Sequence, residues 1–523
     1  MLRGGLLDRL DLAKAVREEL ESSTRLLPPR LDYLALTPNA AKVETLIRSA
    51  ISRNAKASLA SVVFADKPGA GTRPLNVMHL QDRILYRAIT NVLADALPPR
   101  FSARPAFGDF VREPLGNADT KYISKTDINS YYVYVDHDLL GDELIAQTGD
   151  EHAVAALTNL LEQVMGRRFG LPQVHKASDI LGDTYIDPVR RRLRRAGYDV
   201  FTYSDDFRIG SQSLGAARLA LEECAAEARV LGLVLNERKT FTYGRDKYVE
   251  SLDSFSAAER RLLQDEGPLL DVNLFLLADG YDDDVESDVS SEPILEGLDE
   301  TESGFDDEGH PEPTAGVSIS GDPELEQRAR IARRVWHLWG DKASPDYNAP
   351  IMLDLLEKTL PVLGTAGERG PLHELSQLLR SAPGLTPQIA SYLNQYAATG
   401  IEARSDVREA LSDISDEDTL SVWQKMWLAD VGGRIRRTSE PARYVEWLTR
   451  CVETGPDALA ATAGAALGRL GYGDPEVLAQ ALNRVGGEWS PMIVWGLGQL
   501  NRDRAKDLSD KELDRLLFSM EET

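Results

Sequence analysis

The chain has 523 residues, 42% of them hydrophobic and 27% charged, with a formal net charge of −25, which is enough length for two or three domains. Its two cysteines, Cys224 and Cys451, lie far apart, which excludes a disulfide framework and suits a reducing cytoplasm. No apolar run of about 18 residues occurs and acids come early at Asp8 and Asp11, so neither a membrane span nor a signal peptide is expected.

The acidity is uneven. Residues 1–278 hold 36 basic and 38 acidic residues, 279–326 hold 18 acids and no Lys or Arg, and 327–523 hold 23 basic and 28 acidic residues. One segment therefore carries most of the net charge. A near-neutral body can still present a local basic groove, so nucleic-acid chemistry is not excluded.

In chain order, Leu6, Leu7, Leu10, Leu12, Ala15 and Val16 recur near helical spacing, and Pro28-Pro29 interrupts the run. Val43, Leu46, Ile47 and Ile51 form a second amphipathic set. Ser61-Val-Val-Phe64 reads as a short strand, followed by Lys67-Pro-Gly-Ala-Gly-Thr-Arg73-Pro74. Lys offers phosphate a point charge and Arg a bidentate fork. A mobile surface turn with two solvated cations is the competing reading. Residues 79–93 read as an amphipathic helix, in which Asp82 and Arg83 are structural.

Ser124-Lys-Thr-Asp127-Ile-Asn-Ser-Tyr-Tyr132 leads into a Tyr- and Val-rich segment that reads as a strand over 127–135, with Asp127 near its start. Helices are expected at 137–145 and 150–166. Gly170-Leu-Pro-Gln173 opens another helix, with Ala177, Ser178, Leu181 and Tyr185 on one side. His175 reads as a local hydrogen-bonding residue. The basic run Arg190-Arg-Arg-Leu-Arg-Arg195 suits a phosphate backbone, a partner or a solvated helix end alike.

Asp199-Val-Phe-Thr-Tyr203-Ser204-Asp205-Asp206-Phe-Arg-Ile-Gly210 reads as strand, tight turn, strand, with two carboxylates at the tip. Taken alone, such a pair is more often a solvated turn than a site. Adjacent carboxylates repel, and Mg²⁺ is a hard cation suited to compensate them. If the strand bearing Asp127 lies beside this hairpin, Asp127 and Asp205 can share a pair of cations, with Asp206 assisting, as in an in-line phosphoryl transfer. An Ala-rich helix at 211–230 and a strand at Leu231-Gly-Leu-Val-Leu235 follow.

Residues 279–323 are acidic and rich in Ser and Gly, the composition of a disordered linker, without EF-hand spacing. From 324 onward, apolar sets recur at helical spacing in pairs, roughly 30–45 residues apart, which suggests HEAT-like stacking. No catalytic constellation stands out there, and Trp336 and Trp339 read as core or interface anchors.

As an ordered set, Asp127-Ile-Asn-Ser-Tyr-Tyr132, Gly170-Leu-Pro-Gln173 with Ala177-Ser178, Tyr203-Ser204-Asp205-Asp206, and Leu231-Gly-Leu-Val-Leu-Asn236 with Lys239-Thr240 resemble a reverse transcriptase palm over roughly residues 45–250. The flavour is that of bacterial reverse transcriptases, especially the abortive-infection, defence-associated, AbiK-like group. The resemblance implies an α+β right-hand polymerase of fingers and palm over 1–278, the linker at 279–323, and an all-α HEAT-like domain at 324–523. It implies Asp127, Asp205 and Asp206 as ligands of two Mg²⁺ ions, with Mn²⁺ as a substitute. It implies Lys67 and Arg73 in a fingers hairpin over an incoming dNTP, Gln173 in the nucleotide site, Tyr132 as a gate against the 2′-hydroxyl, and Lys239 as general acid toward pyrophosphate. The family places Gly after Gln173, whereas this chain has Val174, and a missing Gly restricts the backbone where template and nucleotide approach, which argues against ordinary templating geometry. No primer-grip signature stands out, and Tyr248-Val-Glu-Ser-Leu252 is the candidate for one.

The expected activity is DNA synthesis from dNTPs, either untemplated or templated by an associated non-coding RNA, primed from a DNA end or from a protein Tyr. The expected setting is antiphage defence, with a homo-oligomer built through the helical domain. An RNA-synthesising polymerase and a polymerase-derived nucleic-acid-binding scaffold are the alternatives.

Overall fold

The structure is a computed structural model that describes residues 5–22, 26–53, 56–67, 71–101, 105–252, 323–340, 350–415, 417–435, 443–509 and 512–518. The acidic linker expected at 279–323 lies outside them, apart from Pro323, which opens a helix.

Four antiparallel strands build the central sheet in the order β4-β5-β3-β6, separate from the hairpin of β1 (Ser61–Asp66) and β2 (Thr72–Val77). They are β3 (Tyr122–Asp127), β4 (Asp199–Tyr203), β5 (Asp206–Ser211) and β6 (Phe241–Gly244). The helices Lys176–Arg195 and Leu214–Val230 pack on this sheet. Their apolar faces put Leu181, Tyr185 and Cys224 in one core with Val200, Phe207 and Ile209. A second cluster holds Phe107, Phe110, Val111, Ile123, Tyr203, Tyr248 and Leu252. With a neighbour strand on each side and a cluster on each face, β5 is buried along its whole length, Arg208 included.

Three local expectations change. Asp127 ends its strand rather than starting it, because the chain turns through Ser130 at φ 52° and a single 3₁₀ turn at Tyr131–Val133. There Tyr131 reaches the Gly182 carbonyl, a tertiary contact that overrides the β propensity of the Tyr and Val residues. Leu231–Leu235 contributes only an isolated bridge from Leu235 to Ile128, and the strand comes later, at β6. Residues 245–252 are helical, and Tyr248 donates to the Val111 carbonyl at 2.8 Å, so this segment is not a primer-grip strand.

The basic run at the end of helix Lys176–Arg195 is largely matched within the protein. Arg190 and Arg191 pair with Asp187, Arg191 also with Glu143, Arg192 with Glu227, and Arg194 donates to the Val200 carbonyl. Asp82 and Arg83 are structural, as read: Asp82 accepts from the Ser58 N–H at 2.9 Å, and Arg83 pairs with buried Glu19.

The C-terminal region is largely helical. Helices Pro350–Thr365, Thr386–Ala398, Val422–Arg434, Asp457–Leu470 and Ser490–Leu500 pack each on the next, with Ile401–Ile414, Arg443–Thr454 and Pro475–Leu482 between them in sequence. Close approach of neighbouring backbones demands glycine at the crossings. A Cβ on Gly468 would meet Gly496 Cα at 2.5 Å, and one on Gly433 would meet Ala466 Cα at 2.7 Å. This stack seats on the N-terminal part: Val422–Arg434 lies against β1, and Ser490–Leu500 against helix Leu31–Leu36.

Candidate active site

Strand register brings the distant acids together. Asp127 is the last residue of β3 and stands opposite Asp206, the first of β5. The Ile128 N–H donates to the Asp205 carbonyl at 3.1 Å, so the acidic turn is tied to the end of β3. Ser204 makes that turn possible with φ 52°, the positive value that tight two-residue hairpin turns require. All three acids are buried, at 4%, 6% and 1% exposure for Asp127, Asp205 and Asp206.

Their surroundings differ. Asp127 Oδ2 accepts from Asn236 Nδ2 at 3.1 Å and lies 3.6 Å from Lys239 Nζ. Asp206 Oδ1 accepts from buried Arg208 at 3.1 Å, and that guanidinium lies 5.2 Å from the centre of the Phe110 ring. Asp205 is the strained member. Burial, then the charges of Asp127 and Asp206, push its carboxyl well above the usual range, and Lys239 pulls the other way.

Among the described residues, no group of three or more His, Cys, Asp or Glu side chains is spaced to hold a metal ion. Two carboxylates completed by substrate phosphates are a normal Mg²⁺ ligand set. Asp127 and Asp205 fit that role, because their mutual repulsion in a buried site is what a divalent cation relieves.

The β1–β2 hairpin reaches the same place. The Lys67 N–H donates to the Gly71 carbonyl at 3.0 Å. Partial burial, then Arg73 and Lys239, hold the Lys67 ammonium below its ordinary value, while Asp127 and Asp205 act in the opposite sense. Three cations and two carboxylates from four separate chain segments therefore share one electrostatic environment. Tyr132 borders it, with its hydroxyl donating to Asp179 Oδ1 at 2.7 Å and 3.1 Å from Ser204 Oγ.

Gln173 is held by its backbone, whose N–H donates to Asn76 Oδ1 at 3.4 Å. The next residue, Val174, has φ 66°. A β-branched residue in the left-handed region is an outlier, so the loop keeps a glycine-like backbone without the glycine. His175 is buried, bonds to the Asn76 carbonyl at 3.1 Å, and is pushed down to about 4 by burial and then by Arg83. It is neutral at working pH and structural.

Asn236, Arg208 and Asp179 had no assigned role in the sequence. Arg208 was within reach: residues i and i+2 of a strand share a face, which places it beside Asp206. Asn236 stood in the sequence only as the end of the Leu231–Asn236 motif, and Asn236 and Asp179 meet their partners across 109 and 47 residues, so nothing local gives those contacts.

The family model described as reverse transcriptase (RNA-dependent DNA polymerase) matches residues 65–252, a span holding every site residue named here. This span is a reverse transcriptase domain. The activity that goes with the domain is RNA-directed DNA polymerisation, a nucleotidyl transfer, and domains of this kind use divalent metal ions. No curated protein matches the chain. Among solved structures, apo telomerase from Candida tropicalis is similar over 74% of each chain at 12% identity, with a TM-score of 0.28, a likeness too slight to carry any argument. Among the described residues no helix is long and apolar enough to cross a membrane.

Proposed function

We propose that the reverse transcriptase domain extends DNA by attack of a 3′-hydroxyl on a dNTP, with Asp127 and Asp205 holding Mg²⁺ and Asp206 assisting from its bond to Arg208. The observation that carries this reading is the strand register that sets Asp127 opposite Asp206 and ties the Asp205 turn to the end of β3, with Lys239 Nζ 3.6 Å from Asp127. Bound there, the metal supplies charge stabilisation to the transferring phosphoryl group and lowers the pKa of the attacking hydroxyl. The chain's own residues do the rest. Lys67 and Arg73, in the role of a fingers hairpin, grip the triphosphate. Lys239 gives a proton to the departing pyrophosphate. Tyr132, fixed by Asp179 and Ser204, closes the space in which a 2′-hydroxyl would sit.

The finer reading is a defence-associated, AbiK-like enzyme of the cytoplasm whose HEAT-like C-terminal domain mediates homo-oligomerisation. Synthesis is untemplated or copies an associated non-coding RNA, and starts from a DNA end or a protein tyrosine.

Incubating purified protein with each labelled dNTP, with and without RNA and Mg²⁺, beside Asp205→Ala/Asp206→Ala, tests the reading. Incorporation that needs the metal and the two acids supports it. Incorporation that persists in the double variant, or none in wild type, rejects it. Label that stays with protein after denaturation would identify protein priming.

A further inference from the structure

Strand β1 leads directly into Lys67, and beyond its pairing with β2 it is hydrogen-bonded to residues more than 350 positions away. At its start, Ser61 Oγ accepts from Trp489 Nε1 at 2.9 Å. At its end, Asp66 Oδ2 accepts from Ser421 Oγ at 2.9 Å. Helix Val422–Arg434 packs along the strand between these bonds. The alternation of β1 agrees: Val63 and Ala65 are 5% and 0% exposed, whereas Val62 and Phe64 are 45% and 58% exposed.

Both donors are held firmly. Ser421 caps helix Val422–Arg434 in a reciprocal capping box with Gln424. Trp489 is buried and lies under the Arg30 guanidinium, 5.0 Å from its ring centre. Arg30 in turn donates to the Glu488 carbonyl at 2.9 Å and pairs with Asp32 at 2.6 Å. The strand is thus bolted at both ends to a rigid helical stack. A two-stranded hairpin has little stability of its own, so its position depends on what it is fastened to.

We propose that the C-terminal helical region sets the position of the β1–β2 hairpin over the palm carboxylates, with Ser61 and Asp66 as the positioning residues through which it holds Lys67 and Arg73 ready for a triphosphate. This rests on the site reading given above. It assigns the helical region a direct part in nucleotide affinity. Neither Ser61 nor Asp66 touches the nucleotide; each acts through the hairpin.

The test uses the full chain and Asp66→Ala, Asp66→Asn and Ser61→Ala, which leave the Ser421 cap and the Trp489 ring in place. Steady-state dNTP incorporation and hydrogen–deuterium exchange over 61–67 and 71–77 are measured on each. Asp66→Ala should raise the KM for dNTP roughly fivefold, the equivalent of one hydrogen bond, with kcat little changed. Exchange in the hairpin should quicken while the helices 457–470 and 490–500 stay as protected as in wild type. Asp66→Asn keeps the acceptor and should restore most of both values, and Ser61→Ala should act in the same sense as Asp66→Ala. Unchanged KM and unchanged hairpin exchange in Asp66→Ala and Ser61→Ala would overturn the proposal. So would loss of protection throughout the helical stack. If wild type incorporates no nucleotide, the site reading fails, and the exchange measurement still decides whether the stack fastens the hairpin.

Discussion

Asn236 holds Asp127 twice: its backbone N–H donates to the Asp127 carbonyl at 2.7 Å, and its side-chain amide to the carboxylate at 3.1 Å. The carboxylate is thereby held in one orientation. Asn236→Ala keeps the backbone bond and loses the other, and a hydrogen bond to a charged group contributes about 1.5–3 kcal/mol. The expected outcome is a fall in kcat/KM of roughly 10- to 100-fold and a higher Mg²⁺ requirement, read from incorporation rates across a Mg²⁺ titration.

Asp205 costs the metal-free protein stability. Its folded carboxyl is raised by burial and by Asp127 and Asp206, so the folded state disfavours the charged form. The penalty is absent at pH values where Asp is protonated in the unfolded chain, below about 4, and grows as pH rises through the folded value. Asp205→Asn in EDTA should therefore melt above wild type at pH 7, by about 2–4 °C per kcal/mol relieved, and no higher than wild type near pH 4. Thermal melts at the two pH values check this, with incorporation abolished in the same variant.

Val174 carries backbone strain of about 1–2 kcal/mol, the usual cost of the left-handed region for a side chain with a Cβ. Val174→Gly removes it at the expense of some packing and unfolded-state entropy. Chemical denaturation should show a stability within about 1 kcal/mol of wild type, against the loss of several kcal/mol common for apolar truncation in a core. A large loss would mean that the valine side chain, not the loop backbone, is what matters there.

The proposed gate role of Tyr132 can be tested by the choice between dNTP and rNTP. Tyr132→Ala deletes the ring and its bonds to Asp179 and Ser204. Relative kcat/KM for rNTP over dNTP should rise at least about tenfold if the ring excludes a 2′-hydroxyl. A wild-type preference for rNTP that the substitution leaves unmoved points to the RNA-synthesising alternative.

The sequence pointed to Asp127, Asp205, Asp206 and Lys239 through short, ordered motifs, and the fold brings these four side chains together. Taken singly, the acidic pair and the Gly-rich connector between two cations read as ordinary turns, and only the order of the motifs, through its resemblance to a reverse transcriptase palm, singled out these residues and Tyr132. The helices 137–148, 151–165 and 176–195 were legible from periodicity, since each buries one face. The strand expected at 127–135 was not, because Tyr131 and Tyr132 look β-forming and only their contacts with Gly182, Asp179 and Ser204 make the segment turn.

By itself, the sequence determined which residues carry charge and favour turn geometry, and that two differently patterned regions flank an acidic stretch. The tertiary structure decided the pairing: Asp206 with Arg208, Asp127 with Asn236 and Lys239, and the β1–β2 hairpin with helices near the far end of the chain. These contacts join residues that are remote in the chain, or depend on which face a strand turns inward. No local preference encodes them, because burial and strand register are properties of the packed whole.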